Sequence, residues 1–261
     1  MRREERPPAL VSFVGAGPGD PELITVKGLH RLRQADVVIH DRLIPRTLLD
    51  ETRPGAEIVD VGKAPGCHGM AQDDINALIV ERARRGGRVV RLKGGDPAIF
   101  ARLAEETAAV RAAGIPFEIV PGVTAAAAAA AGTGVSLTQR ERTSMVLFAT
   151  GACHGNGGVP PLDWDLLARL PGTLVFYMPV RSLASIVGRL TALGRDAREP
   201  AMLVERIGME GERVLSSPLG DVAHAARRAG MSSPAILIVG AAVGGPSVPS
   251  EARNALALAG R

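Results

Sequence analysis

The chain has 261 residues, enough for one large domain or two smaller ones, each with its own core. Hydrophobic residues make up 46% and charged residues 22%, a globular balance that excludes a disordered chain, and no apolar run is long enough to span a bilayer. The net charge of +4 is a mild basic excess that suits a polyanionic small molecule, while aromatics at 3%, with no basic stripe interleaved, argue against nucleic acid. Taken in order, the segments alternate. Leu10–Val14 reads as a strand, followed by a helix on which Leu23, Val26, Leu29 and Leu32 share a face. Val37–His40 and Ile58–Val61 read as strands, Gln72–Arg85 as an amphipathic helix, and Arg88–Leu92 as a buried parallel strand. A helix over Ile99–Ala113, with Pro97 ahead of it and Gly114 as its C-cap, leads into a fifth strand at Phe117–Val120. The alanine run Ala125–Ala131 predicts a thin, closely packed helix.

Past Gly132 the rhythm changes. Met145–Ala149, Thr173–Tyr177, Met202–Val204, Arg213–Leu215 and Ile236–Val239 read as strands of a second sheet, with helices at Leu166–Leu170, Leu183–Leu193 and Leu219–Ala229. Ala152–Pro161 reads as a flexible Gly-rich loop. The organisation expected is therefore α/β: an N-terminal domain over 9–132, a C-terminal domain over 133–243 and a tail over 244–261, with a short helix at Glu251–Ala259.

The charged segment Met1–Pro8 lacks the apolar core of a signal peptide, and its Glu4 and Glu5 do not suit a transit peptide. With two cysteines, Cys67 and Cys153, no disulfide framework is expected and the cytoplasm is the expected compartment. Each precedes a histidine, His68 and His154. Adjacent residues seldom both reach one tetrahedral ion, so both pairs read as loop residues and no metal site is expected.

Chemistry concentrates at strand ends. The strand Arg88–Leu92 runs into Lys93-Gly94-Gly95-Asp96-Pro97, where glycines let backbone lie against a ligand and Asp96 offers acceptor oxygens. The first strand ends in Gly15-Ala16-Gly17-Pro18-Gly19-Asp20, which fits neither the dinucleotide fingerprint nor a Walker A loop. Asp41-Arg42 reads by itself as a local surface ion pair, Lys63 as a solvated lysine, Arg102 and Glu105 as helix-surface partners, and Met178 as a core residue.

Five motifs together are more specific than any one: Val14-Gly-Ala-Gly-Pro-Gly-Asp-Pro-Glu-Leu-Ile-Thr-Val-Lys27, Ala35-Asp-Val-Val-Ile-His-Asp-Arg-Leu-Ile44, Val61-Gly-Lys63, Arg91-Leu-Lys-Gly-Gly-Asp-Pro97 and Val120-Pro-Gly-Val-Thr-Ala125, closed by Pro234-Ala-Ile-Leu-Ile-Val-Gly240. In order along the chain they resemble the uroporphyrinogen-III C-methyltransferases of the tetrapyrrole methylase superfamily. The resemblance implies two α/β domains with S-adenosylmethionine in the cleft between them, a homodimer, and methylation of uroporphyrinogen III at two ring carbons to give precorrin-2 for sirohaem, cobalamin or haem d1. It implies a cofactor pocket lined by Pro18, Gly94, Gly95, Asp96, Ile99, Thr124, Ala125, Met178 and a position aligning with Ile207 or Gly208. It also implies Asp41 as proton acceptor, Lys63 as proton donor, and Arg102, Glu105 and Arg140 as substrate-side residues. The chain departs from the family pattern at Ala101, Leu103 and Ala104, where glycines are usual, and at Gln139 and Ala152, where histidines are usual. Pro179 likewise stands where the family has glycine. A diverged methylase with another tetrapyrrole substrate, or a non-catalytic protein binding S-adenosylmethionine or a tetrapyrrole, is the alternative these departures leave open.

Overall fold

The computed structural model describes residues 9–62, 70–152 and 161–244. The chain divides between Ala125 and Ala126 into two compact units. In the first, β1 (Leu10–Gly15), β2 (Val37–His40), β3 (Glu57–Asp60), β4 (Arg88–Lys93) and β5 (Phe117–Val120) form a sheet in the order β3-β2-β4-β1-β5, with every pairing parallel. Parallel strands need crossovers, and the helices that supply them cover both faces. On one face α1 (Val26–Arg33), started by the Thr25 side chain accepting from Gly28 N, and the single-turn α2 (Arg46–Leu49) bury Leu32 and Leu48, with Ile44 just ahead of α2, against Val14, Val38, Val90 and Leu92. On the other, α3 (Gln72–Arg84) and α4 (Leu103–Ala112) bury Ile75, Ile79 and Val110 against Val11, Phe13, Ile39 and Val89. Phe13 and Phe117 meet edge to face at 6.0 Å.

The second unit holds α5 (Ala125–Thr133), apart from its first residue, and a mixed sheet of β6 (Val146–Thr150), β7 (Thr173–Tyr177), β8 (Pro200–Glu205), β9 (Arg213–Pro218) and β10 (Ala235–Val239) in the order β6-β7-β10-β8-β9. β6 and β7 are parallel, and β10 runs antiparallel to both of its neighbours. Three helices, α6 (Trp164–Arg169), α7 (Leu183–Ala192) and α8 (Leu219–Arg228), close one face over Leu174, Phe176, Leu203 and Leu237, all inaccessible to solvent. Each such side chain contributes about 1.5–3 kcal/mol by burial.

Among the described residues the expected strands and helices are present, with three departures. The helix expected to carry Leu23, Val26, Leu29 and Leu32 on one face begins only at Val26: Leu23 closes a separate turn over Pro21–Leu23, extended Ile24 and the N-cap Thr25 intervene, and Val26 is 72% exposed, so Gly28 and Leu32 face the core. The helix predicted from Ile99 starts at Leu103, because Phe100 and Arg102 hold positive φ angles of 51° and 55° and residues 99–102 form an irregular turn. Pro97 is correspondingly buried in the Asp96–Ile99 turn and not at a helix start. The single turn α2 carries too few residues to show a period. The Gly-rich loop residues 153–160 and the helix expected at Glu251–Ala259 lie outside the described residues, as do Cys67, His68, Cys153 and His154. Among the described residues no helix is long and apolar enough to cross a membrane, and no three His, Cys, Asp or Glu are grouped to hold a metal.

Candidate active site

Because the first sheet is wholly parallel, the carboxyl ends of its strands share one edge, where α/β sheets bind ligands. The glycine loops after the adjacent strands β1 and β4 are joined there: Gly95 N donates to Gly17 O at 2.7 Å and Gly17 N to Gly95 O at 3.3 Å. The loop after β5 packs against them by backbone alone. A Cβ on Gly15 would lie 2.6 Å from Gly122 Cα and 2.7 Å from Gly95 O, so no side chain fits at that contact. Over Gly94 the reverse holds: a Cβ would meet nothing within 4 Å. The three loops thus pack together by backbone alone, and at Gly94 they leave open space that admits close approach of a ligand.

Asp96 holds this floor of packed loops together. Its carboxylate accepts from Ala98 N at 2.8 Å and from Gly122 N at 2.9 Å, tying the β4 loop to the β5 loop. Pro18, Ile99, Thr124 and Ala125 are half-buried around the same loops, and a Cβ on Gly95 (φ +70°) would lie 4.0 Å from Ala125 N.

Asp41, just beyond β2, is 37% exposed and pairs with Arg91, whose Nη2 donates to Asp41 Oδ1 at 2.5 Å. The local pair with Arg42 suggested by the sequence is replaced by this longer-range one. Arg91 and Lys93 alternate with Val90 and Leu92 along β4, so both point into the α3/α4 layer, where each side chain is 3% exposed. Glu106 of α4 meets both: Arg91 Nε donates to Oε1 at 3.1 Å and Lys93 Nζ to Oε2 at 2.8 Å, with Gln72 Nε2 3.4 Å from Oε1. Burial, with the Arg91 guanidinium beside it, holds the Lys93 ammonium below its ordinary pKa. Among the described residues no buried side-chain nitrogen or oxygen lacks a partner. The motif that contains Arg91 and Lys93 gives neither of them a role by itself, and Glu106 has none in the sequence reading. The signal was the phase of α4, since Leu103, Thr107 and Val110 face inward and Glu106 falls on that face.

Arg102 caps α4 without a side-chain cap bond and forms an exposed pair with Glu105, at 2.8 and 2.5 Å. The Arg102 contact holds the Glu105 carboxyl below its usual range. Ala101, Leu103 and Ala104 have no positive φ, and Leu103 packs on the core, so the three departures from glycine are met without backbone strain. Lys63 lies outside the described residues.

In the second unit β6, β7 and β8 run in one direction, so Thr150–Ala152, Met178 and Ile207 share an edge. Met178, beside Pro179, is held at φ 54° and is 48% exposed, and Arg206 stands at φ 55°. Non-glycine residues persist in that region only where the surroundings impose it, and such residues cluster at ligand sites. The core reading of Met178 gives way to an exposed strand-end position. Ile207 is buried, its Cδ1 lying 3.2 Å from where Gly132 would carry a Cβ. Arg140 is exposed in the turn closed by the Gln139–Thr143 bridge, which puts Glu141 at φ 69°. A surface groove of about 510 Å³ lined by Arg142, Arg195, Asp196 and Glu199 contains none of the predicted site residues.

The model of the tetrapyrrole (corrin/porphyrin) methylases matches residues 10–223. The chain belongs to that family. It is 46% identical over 233 residues to the siroheme synthase of Gluconacetobacter diazotrophicus, covering 89% of this chain and 49% of that one. For siroheme synthase 1 of Klebsiella pneumoniae the identity is 44%, with 93% and 51% covered. The chain therefore spans about half the length of these relatives. Among solved structures, uroporphyrin III C-methyl transferase from Thermus thermophilus superposes with a TM-score of 0.76 at 39% identity, covering 89% of this chain and 92% of that one. A complex of that Thermus protein with S-adenosyl homocysteine matches at 0.76 and 40%, with 89% and 92% covered. A cobalt precorrin-4 methyltransferase matches at 0.81 and 31% identity, with 91% and 97% covered.

Proposed function

We propose that this tetrapyrrole methylase is an S-adenosylmethionine-dependent C-methyltransferase that methylates uroporphyrinogen III at two ring carbons, giving precorrin-2 by way of precorrin-1. The observation that carries this reading is the glycine floor at the ends of β1, β4 and β5, in a chain 40% identical to a uroporphyrin-III methyltransferase solved with S-adenosyl homocysteine. The residues fit that cofactor: backbone at Gly94 and Gly95 open to close approach, with Pro18, Ile99, Thr124 and Ala125 around it and Asp96 fixing the loops. When bound, S-adenosylmethionine supplies an activated methyl group on a sulfonium, so the protein needs little acid or base strength to promote transfer.

The chain's own residues then have three tasks. The loops hold the reactants in line at near-attack distance and keep water out. Arg102 and Arg140, exposed and able to form bidentate contacts, bind the carboxylates of the macrocycle, with Glu105 orienting Arg102. The methylated ring carbon becomes quaternary and carries no hydrogen, so the proton lost to balance the transfer leaves another position of the macrocycle; Asp41 accepts it, and Lys63 returns a proton as the macrocycle rearranges. A homodimer in the cytoplasm completes the reading.

A second reading has its own support. The TM-score of 0.81 to a cobalt precorrin-4 methyltransferase, together with Ala101, Leu103 and Ala104 ahead of and within α4, favours a diverged methylase acting on another tetrapyrrole. An anaerobic assay with uroporphyrinogen III and labelled S-adenosylmethionine, with methyl groups counted by mass spectrometry, separates the two. Two methyls per ring are expected; none, with cofactor binding intact, would move the assignment to the second reading.

A further inference from the structure

We infer that Glu106 is a positioning residue for Asp41, acting through Arg91, with Lys93 balancing its charge. The inference rests on Asp41 being the proton acceptor proposed above. Arg91 is gripped on several sides: Nε on Glu106, Nη1 on Ile39 O at 3.4 Å and Leu92 O at 3.3 Å, and Nη2 on Asp41. The two carbonyls set the guanidinium against the sheet, and Glu106 fixes its rotation, which leaves Nη2 aimed at the end of β2. Asp41 is thus held from below while more than a third of its side chain stays open to a ligand.

Location separates this arrangement from an ordinary stabilising ion cluster. Buried ion pairs are weak stabilisers, and well-packed apolar residues often do better. On the α3/α4 face, apolar residues do fill the rest of the sheet: Val11, Phe13, Ile39 and Val89. Charges replace them at Arg91 and Lys93, the two inward positions of β4 next to the ligand edge. The formal charges also balance, Arg91 and Lys93 against Glu106 and Asp41, so no buried charge stands unopposed. A group that needs only to be present does not require this support; a carboxylate that must meet one proton of the macrocycle in one orientation does.

The test uses the full chain with Glu106→Gln, Asp41→Asn and both together, and Glu106→Leu with and without Lys93→Met. Glu106→Gln is expected to lower kcat by roughly 100-fold, the scale of a small misplacement of a catalytic group, while tetrapyrrole KM and S-adenosylmethionine Kd stay within about threefold. In the Asp41→Asn background the same change should do nothing further to kcat. Lys93→Met removes the cation that Glu106→Leu strands, so the double variant should recover the melting temperature but not kcat. Full kcat in Glu106→Gln, additive losses with Asp41→Asn, or recovery of kcat along with stability would each overturn the inference. Full kcat in Asp41→Asn would overturn the role of Asp41, and the inference with it. If the wild-type chain transfers no methyl to uroporphyrinogen III, the proposed function fails separately. Denaturant unfolding of the same variants without ligands still decides the linkage: Asp41 and Glu106 should be measurably non-additive through Arg91, and simple additivity would overturn it.

Discussion

Two buried arginines, one in each unit, show how differently a buried cation can be used. Arg195, after α7, spends its donors chiefly on backbone: Nη1 on Leu167 O at 2.9 Å and Leu170 O at 3.3 Å, and Nη2 on Gly172 O at 3.1 Å, with Glu199 taking Nε and sharing Nη2. It closes the carboxyl end of α6, where carbonyls have no helical partner. Arg91 also touches two carbonyls, but its ends go to carboxylates, one of them at the ligand edge. A cation committed to carbonyls supports the chain; one joining a buried carboxylate to a half-exposed one can orient the latter.

The largest expected effect follows from the first arginine. Arg195→Met strands three carbonyls and Glu199, and should lower unfolding stability by about 3–5 kcal/mol in a denaturant titration while the folded fraction keeps its S-adenosylmethionine affinity. Loss of that affinity at temperatures where the variant is folded would break the contrast. Next is the glycine floor: Gly122→Ala places a Cβ against Gly95 O and Gly15 Cα, which should cost about 1–3 kcal/mol and weaken cofactor binding measured by calorimetry. Unchanged binding would mean that the floor is not the cofactor surface.

Arg102→Ala tests the exposed pair. Its contact with Glu105 is in solvent, so the melting temperature should not move, whereas turnover should fall by at least about tenfold with cofactor affinity retained. Equal loss of turnover and cofactor affinity would remove Arg102 from the substrate side.

The smallest effect concerns an ion cluster away from the ligand edge. Glu118 of β5 accepts from Arg31, Lys27 and Ser12; foremost the Arg31 contact holds its carboxyl down at about 2, from 4.5. Because the folded-state value is depressed, this stabilisation is present above pH 4.5 and is lost as pH falls toward 2. Glu118→Gln should therefore flatten the fall in melting temperature across that acid window and leave kcat unchanged. A change in kcat would extend the functional region beyond the strand ends.

Much of this arrangement was legible in the chain. The short β-branched runs, the glycines after Val14 and Lys93, and the three-to-four-residue spacing on α3 encode local preferences that the tertiary structure respects. The glycine loops were readable as places of close backbone approach because only glycine permits such contacts. Asp41 stood out as a charged residue at a strand end, but its partner did not, because Arg91 lies fifty residues away in sequence and meets it only when β2 and β4 pair.

The assignment within Glu105-Glu106 shows where local reading ends. The resemblance points to Glu105, and the structure leaves it exposed beside Arg102 while placing Glu106 under the sheet. The positive φ angles at Phe100 and Arg102 delay the helix to Leu103, and the helix's position against β4 then decides which of the two adjacent carboxylates turns inward. The sequence by itself determined most of the elements, the glycine loops and the family, since these follow from period, turn chemistry and motif order. Only the tertiary structure decided which charges are buried and whom they meet, because burial and ion pairing depend on strand order and helix phase, and neither is a local property of the chain.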